Sequence, residues 1–208
     1  MKRYILKVEL DHVSLPVWRR IIVPAHTSLD RLHDMIQIVM GWFDSHLYEF
    51  SIGTKMYTEE PESREDGLEA TKYTLEELVK RKNRTFSYRY DFGDNWIHII
   101  TLEQIVGEDQ FVSELSKEEE LRLFRVPLMC MDGAGTCPPE DVGGVYGYQE
   151  FCEAIANPKH ARHKEMTDWY NSIDFFKKPF DAEFFDKDSV NAELSKYLRW
   201  SRTRRRFF

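Results

Sequence analysis

The stretch TFSYRYDFGDNWIHIITLEQIV, residues 85–106, holds two strongly strand-like runs, Thr85 to Phe92 and Trp96 to Val106, joined by a short connection. The length of that connection decides which side chains enter the core. With a two-residue turn at Gly93-Asp94 or Asp94-Asn95, facing positions sum to an odd number. Asp91 then shares a sheet face with Ser87, Arg89, Trp96, His98 and Ile100. Phe86, Tyr88, Tyr90, Phe92, Ile97 and Ile99 form the apolar face under that parity. A three-residue turn inverts the parity and sets His98 against the aromatic residues. The short turn is the expectation, and it places Asp91 to orient His98 with Trp96 as an apolar wall. The plainer reading of that face is an exposed Arg89–Asp91 pair beside a solvated His98.

Upstream, Tyr4, Leu6, Val8 and Leu10 alternate with charged residues, although Ile5 interrupts the outer face. Val17 to Val23 follows as the second arm of a hairpin that ends at Pro24. Thr27-Ser-Leu-Asp30 starts a helix whose apolar residues, Leu29, Leu32, Ile36, Val39 and Met40, recur at helical spacing until Gly41. Leu47 to Ile52 and Lys55 to Thr58 read as strands about Gly53-Thr54, and residues 59–70 as a charged surface loop. A short helix is expected near Leu75 to Val79, then others near Glu114 to Phe124, Tyr148 to Ala156, Ala161 to Asn171 and Ser189 to Arg199. Strands dominate the first half and helices the last third, so the expected class is α+β with a mixed or antiparallel sheet. Residues 1–195 read as one domain and 196–208 as a basic tail.

Between Cys130 and Gly147 the sequence CMDGAGTCPPEDVGGVYG carries five of the ten glycines, a Pro138-Pro139 pair and the carboxylates Asp132, Glu140 and Asp141. Such a connection is built to hold unusual backbone conformations, and it marks a candidate site. Its chemistry is unexceptional by spacing. Six residues separate Cys130 from Cys137, too many for a zinc knuckle, and no metal or other cofactor is expected. No local signature makes either thiol a nucleophile, and buried cysteines are commonly inert. Glu140 and Asp141, adjacent on an extended segment, point opposite ways; at least one is expected to bond backbone N–H groups and hold the loop. The glycines match neither the Walker nor the dinucleotide pattern. A helix starting near Gly147 would attract an anion, but Glu140 and Asp141 oppose one.

A formal charge of −7 conceals an asymmetry, since the tail KYLRWSRTRRRFF carries six basic and no acidic side chains. It offers a route to a protein or nucleic-acid partner, or it is a solvated terminus. No apolar run is long enough to span a bilayer, and the N-terminus turns charged too early for a signal peptide; no membrane association and a cytoplasmic location are expected. Cys130, Cys137 and Cys152, an odd number, are read as reduced thiols.

YDFGDNWIH at residues 90–98 and Cys130 with PPEDVGG at 138–144 resemble the signatures of the plasmid pRiA4b ORF-3-like family. The resemblance begins in the opening hairpin and reaches FDAEFFD at 180–186 with Val190-Asn191. It implies an α+β fold and an association with plasmids and mobile elements, and it carries over no activity. The matching positions include Asp91, Gly93, Asp94, Trp96 and His98, and Pro138 to Asp141 with Gly143 and Gly144. Ala182 stands where the family often has proline, and Gly135-Thr136 replaces a more polar pair, which weakens anion binding there.

Three readings follow. The first is a binding module whose site lies between the hairpin and the glycine-rich loop, with Arg89, Trp96, Asp132, Glu140, Asp141 and Tyr148 as contact residues. The second is a hydrolase-type enzyme with His98 as general base, oriented by Asp91 or Asp94. The third is nucleic-acid binding through the tail, with affinity that falls steeply with salt.

Overall fold

The computed structural model describes residues 1–61, 63, 67–107, 110, 112–113, 115–125, 127–173 and 179–204. Alternating apolar residues produce the opening hairpin, β1 (Arg3–Leu10) and β2 (Trp18–Pro24), as expected. The chain continues through helix α1 (Leu29–Met40), β3 (Tyr48–Ile52), β4 (Lys55–Thr58), the short β5 (Leu68–Glu69) and α2 (Leu75–Leu78). Strands β6 (Thr85–Tyr90) and β7 (Trp96–Val106) precede α3 (Lys117–Arg125), β8 (Met129–Ala134), α4 (Gly144–Ala156), α5 (His163–Ile173) and α6 (Lys187–Arg204). The expected start of the third helix at Glu114, part of the 59–70 loop and the last four residues of the tail lie outside the described residues.

The strands form one sheet in the order β5-β4-β3-β6-β7-β1-β2-β8, antiparallel except for the β4–β5 pair. This is an α+β fold with a mixed sheet, though the helices are spread along the chain instead of gathering in its last third. Long β7 bridges the two halves by pairing with both β6 and β1.

Tyr4, Leu6, Val8 and Leu10 face α1 in the main core. Ile5 does not spoil the other face: it joins Ile22, Val106, Leu123, Met129 and Met131 in a second cluster there. The start of the glycine-rich segment, read as loop from its composition, is edge strand β8. Its outer edge is covered by α6, where the Asn191 side chain accepts from the Cys130 N–H at 2.9 Å and donates to the Cys130 carbonyl at 2.8 Å. No helix among the described residues is long and apolar enough to cross a membrane.

The 85–106 hairpin closes with five residues, Asp91 to Asn95, and this corrects the expected parity. Tyr90 faces Trp96 and Tyr88 faces His98. Asp91 and Asn95 both take left-handed φ values, 54° and 57°, and the Asp91 carboxylate accepts from the Gly93 N–H at 2.8 Å. That side chain–backbone bond stabilises a wider turn than two residues. An odd loop turns Trp96, His98 and Ile100 inward with Tyr88 and Tyr90, while Ile97 and Ile99 stay half-buried on the other face.

Candidate functional site

Gly41 ends α1 in a left-handed conformation, and the next residues, Trp42 to Leu47, run across the end of the sheet towards β3. They meet two other connections there, the hairpin turn 91–95 and the loop 135–143. Trp42 donates from Nε1 to the Pro138 carbonyl at 2.9 Å. Glu140 accepts from the Phe43 N–H at 2.9 Å and from the Tyr90 hydroxyl at 2.8 Å, and that hydroxyl accepts from the Ser45 N–H at 3.0 Å. Burial, with the Glu140 carboxylate beside it, raises the Tyr90 pKa and keeps the phenol protonated as donor. Glu140 therefore pins the three segments together, the structural role expected of one member of the carboxylate pair.

Asp94 completes the contact between turn and loop. Its carboxylate accepts from the Gly143 N–H at 3.1 Å, at the start of α4, where the helix dipole favours a negative charge. The anion that a helix start would attract is supplied by the chain itself, three residues earlier than the expected helix near Gly147. Asp91 and Asp141, with left-handed φ values of 54° and 60°, bracket His46. His46 Nε2 lies 3.7 Å from Asp91 Oδ2 and 3.4 Å from Asp141 Oδ1.

Two concavities flank this cluster. One, of about 440 Å³, is a largely apolar groove between Gly41–Phe43 and Thr136–Asp141, floored by Tyr170, Ile173 and Phe180. The other, of about 490 Å³, is a polar cleft containing Asp44, His46, Glu59 and Asp91. Among the described residues, neither is lined by lysine or arginine.

The remaining sequence candidates are distributed differently. His98 is fully buried between Tyr88 and Trp42, with Nδ1 3.4 Å from the Tyr88 carbonyl and Nε2 without a hydrogen-bond partner. Among the described residues no carboxylate lies within ion-pair distance of it, so the expected Asp91–His98 or Asp94–His98 arrangement is not formed. Trp96 is likewise core, edge-on to Tyr148, and cannot serve as an open wall. Tyr148 is buried and donates to the Thr136 carbonyl at 2.9 Å, which makes it a support of the loop. Arg89 lies over the Phe92 ring and pairs with Glu49 at 3.5 Å, and Asp132 pairs with Arg20 at 3.6 Å; neither lines the two concavities. Burial pushes the Cys130 thiol up to about 11 and the Cys137 thiol up to about 12, which leaves both poor nucleophiles.

Burial also lowers the His98 pKa to about 4, which has a testable consequence. A histidine neutral in the fold and ordinary when unfolded takes up protons preferentially in the unfolded state, so its contribution is complete above about pH 6.5 and is lost as pH falls towards 4. Urea unfolding should show stability declining by about 1 kcal/mol per pH unit between pH 6 and 5 from this group, to a ceiling of about 3 kcal/mol. His98→Met should flatten that limb; an unchanged slope would show that His98 does not carry it.

The residues that sequence reading missed are Trp42, Phe43, Asp44 and His46. Their signal was available in GWFDSH, where two aromatic residues, an aspartate and a histidine crowd a connection directly behind a helix-stopping glycine.

The fold and site define a class: α+β proteins with one mixed eight-stranded sheet, whose end carries a three-segment acidic site beside an apolar groove. The chain belongs to the plasmid pRiA4b ORF-3-like protein family, whose model matches residues 2–189. It is 38% identical over 206 residues to the uncharacterized protein y4hQ of Sinorhizobium fredii, covering 97% of this chain and 95% of that one. The crystal structure of MM3350, a protein of unknown function from Methanosarcina mazei Go1, superposes with a TM-score of 0.73 at 29% identity, covering 91% of this chain and 97% of that one.

Proposed function

We propose that this chain is a binding module for a ligand with an apolar body and a positive charge. The observation that carries the reading is the charge that the described residues give the two concavities: Asp44, Glu59, Asp91, Glu140 and Asp141 line them, and among the described residues no lysine or arginine does. A groove of about 440 Å³ is within the size range of small-ligand sites, and its apolar wall favours an aliphatic or aromatic body. Phe43, 74% exposed at the rim, gives a cation an aromatic face as well as a carboxylate to meet. A phosphate-bearing ligand would meet repulsion at this rim. Three cysteines without disulfides accord with a cytosolic setting.

Titration calorimetry in buffer containing a chelator tests the reading with two probes of similar size, 2-phenylethylammonium and 3-phenylpropionate. The ammonium should bind saturably with Kd below about 1 mM and the carboxylate should not. Asp141→Asn, at an exposed rim position, should weaken the ammonium about fivefold. Equal binding of both probes, or none of either, would overturn the assignment.

A further inference from the structure

We propose that His46, Asp91 and Asp141 form a binding site for a first-row divalent cation such as Zn²⁺ or Mn²⁺. The three side chains offer one imidazole nitrogen and two carboxylate oxygens that all lie within 4.8 Å of one another. Asp91 and Asp141 also line the two concavities, so an ion here would compete with a cationic ligand for their charge.

His46 Nε2 is the central observation. That atom is shielded from solvent, yet it has no hydrogen-bond partner, although two carboxylates stand 3.4 and 3.7 Å away. A shielded ring nitrogen left without a hydrogen bond is unfavourable, and an ion shared with the two carboxylates would use it. The separations are long or misaligned for hydrogen bonds but suit a shared ion. Metal–ligand distances of about 2.0–2.2 Å in tetrahedral geometry put neighbouring ligand atoms roughly 3.3–3.6 Å apart.

The supporting contacts are in place for the more buried carboxylate. Asp91 is 8% exposed, and its Oδ1 is occupied by the Gly93 N–H at 2.8 Å, which leaves Oδ2 facing His46. Asp141 is the exposed third ligand, and the cluster opens to the polar cleft, so water or a ligand atom would complete the coordination. One nitrogen with two oxygens suits Zn²⁺ or Mn²⁺ better than Ca²⁺ or Mg²⁺, which take oxygen ligands.

The other histidine–carboxylate group provides a contrast. His33 uses both ring nitrogens, with Nδ1 2.7 Å from the Tyr88 hydroxyl and Nε2 2.8 Å from Asp44 Oδ1, so its geometry is that of a completed hydrogen-bond network. The cysteines whose spacing argued against zinc take no part in the His46 cluster.

The test is titration of tag-free, chelator-treated protein with Zn²⁺ and with Mn²⁺ by calorimetry, alongside the unfolding temperature with and without metal. One equivalent of at least one metal should bind with Kd of about 10 μM or tighter and raise the unfolding temperature. His46→Ala and Asp141→Asn should each weaken binding at least about tenfold, whereas His12→Ala, at an exposed position elsewhere, should leave it unchanged. Asp141 is 76% exposed, so its variant reports on the site even if His46→Ala proves unstable. Failure of both metals to bind saturably, or unchanged affinity in Asp141→Asn, would overturn the proposal.

Discussion

Arg19→Leu is expected to be among the most destabilising single substitutions in this protein, at about 3–5 kcal/mol. Arg19 is 3% exposed, and its guanidinium donates to four backbone carbonyls: Val39 at 2.8 Å, Trp18 at 2.8 Å, Ala134 at 2.8 Å and Gly135 at 2.9 Å. Burial lowers its pKa, and these oxygens replace the water it has lost. Phe185 covers the group, with the guanidinium carbon 4.2 Å from the ring centre. One side chain thereby joins the end of α1 to the start of the glycine-rich loop, the two walls of the groove. Leucine would remove all four donations. Arg19→Lys keeps the charge but not the planar fork and should recover less than half of the loss. Urea unfolding midpoints measure both variants, and a loss below about 1 kcal/mol for leucine would show that the anchor is dispensable.

Gly144→Ala is expected to cost about 2–3 kcal/mol, because two separate demands meet at that position. The residue has φ of 66°, and an added Cβ would lie 2.6 Å from the Asp94 carbonyl oxygen of the hairpin turn. Backbone cannot yield as a flexible side chain can, so the turn and the loop must move apart, and the Asp94–Gly143 contact should open with them. Gly41→Ala separates the two effects: φ is 88° but nothing lies within 4 Å, so conformational strain alone predicts about 1 kcal/mol. Equal losses at both positions would mean that contact between turn and loop contributes nothing.

Much of the fold was legible because it is written locally. Period-two alternation gave β1, and the apolar helical spacing stopped by Gly41 gave α1. The turn that decided the hairpin faces was not legible. Its length depends on Asp91 and Asn95 entering left-handed conformations, which aspartate and asparagine tolerate but do not announce. Strand β8 was hidden by its glycine and by those that follow it: at Gly133 a Cβ would lie 2.7 Å from the Phe185 ring and 2.9 Å from the Trp18 carbonyl, so a residue typical of loops is required in an edge strand. The glycine-rich loop and the hairpin were found as neighbours, but the side chain bracketed by their aspartates was not. His46 joins Asp91 and Asp141 only through tertiary structure, and no spacing in the chain connects those three positions.

In the proposed function, segments 41–47, 91–95 and 135–144 form one binding site for a cationic, partly apolar ligand. Amide chemical-shift mapping of the ¹⁵N-labelled protein during titration with 2-phenylethylammonium tests that claim. Saturable shifts concentrated in those three segments, absent with 3-phenylpropionate, are the predicted result. Shifts confined to the surface elsewhere, or the same pattern with both probes, would contradict the claim.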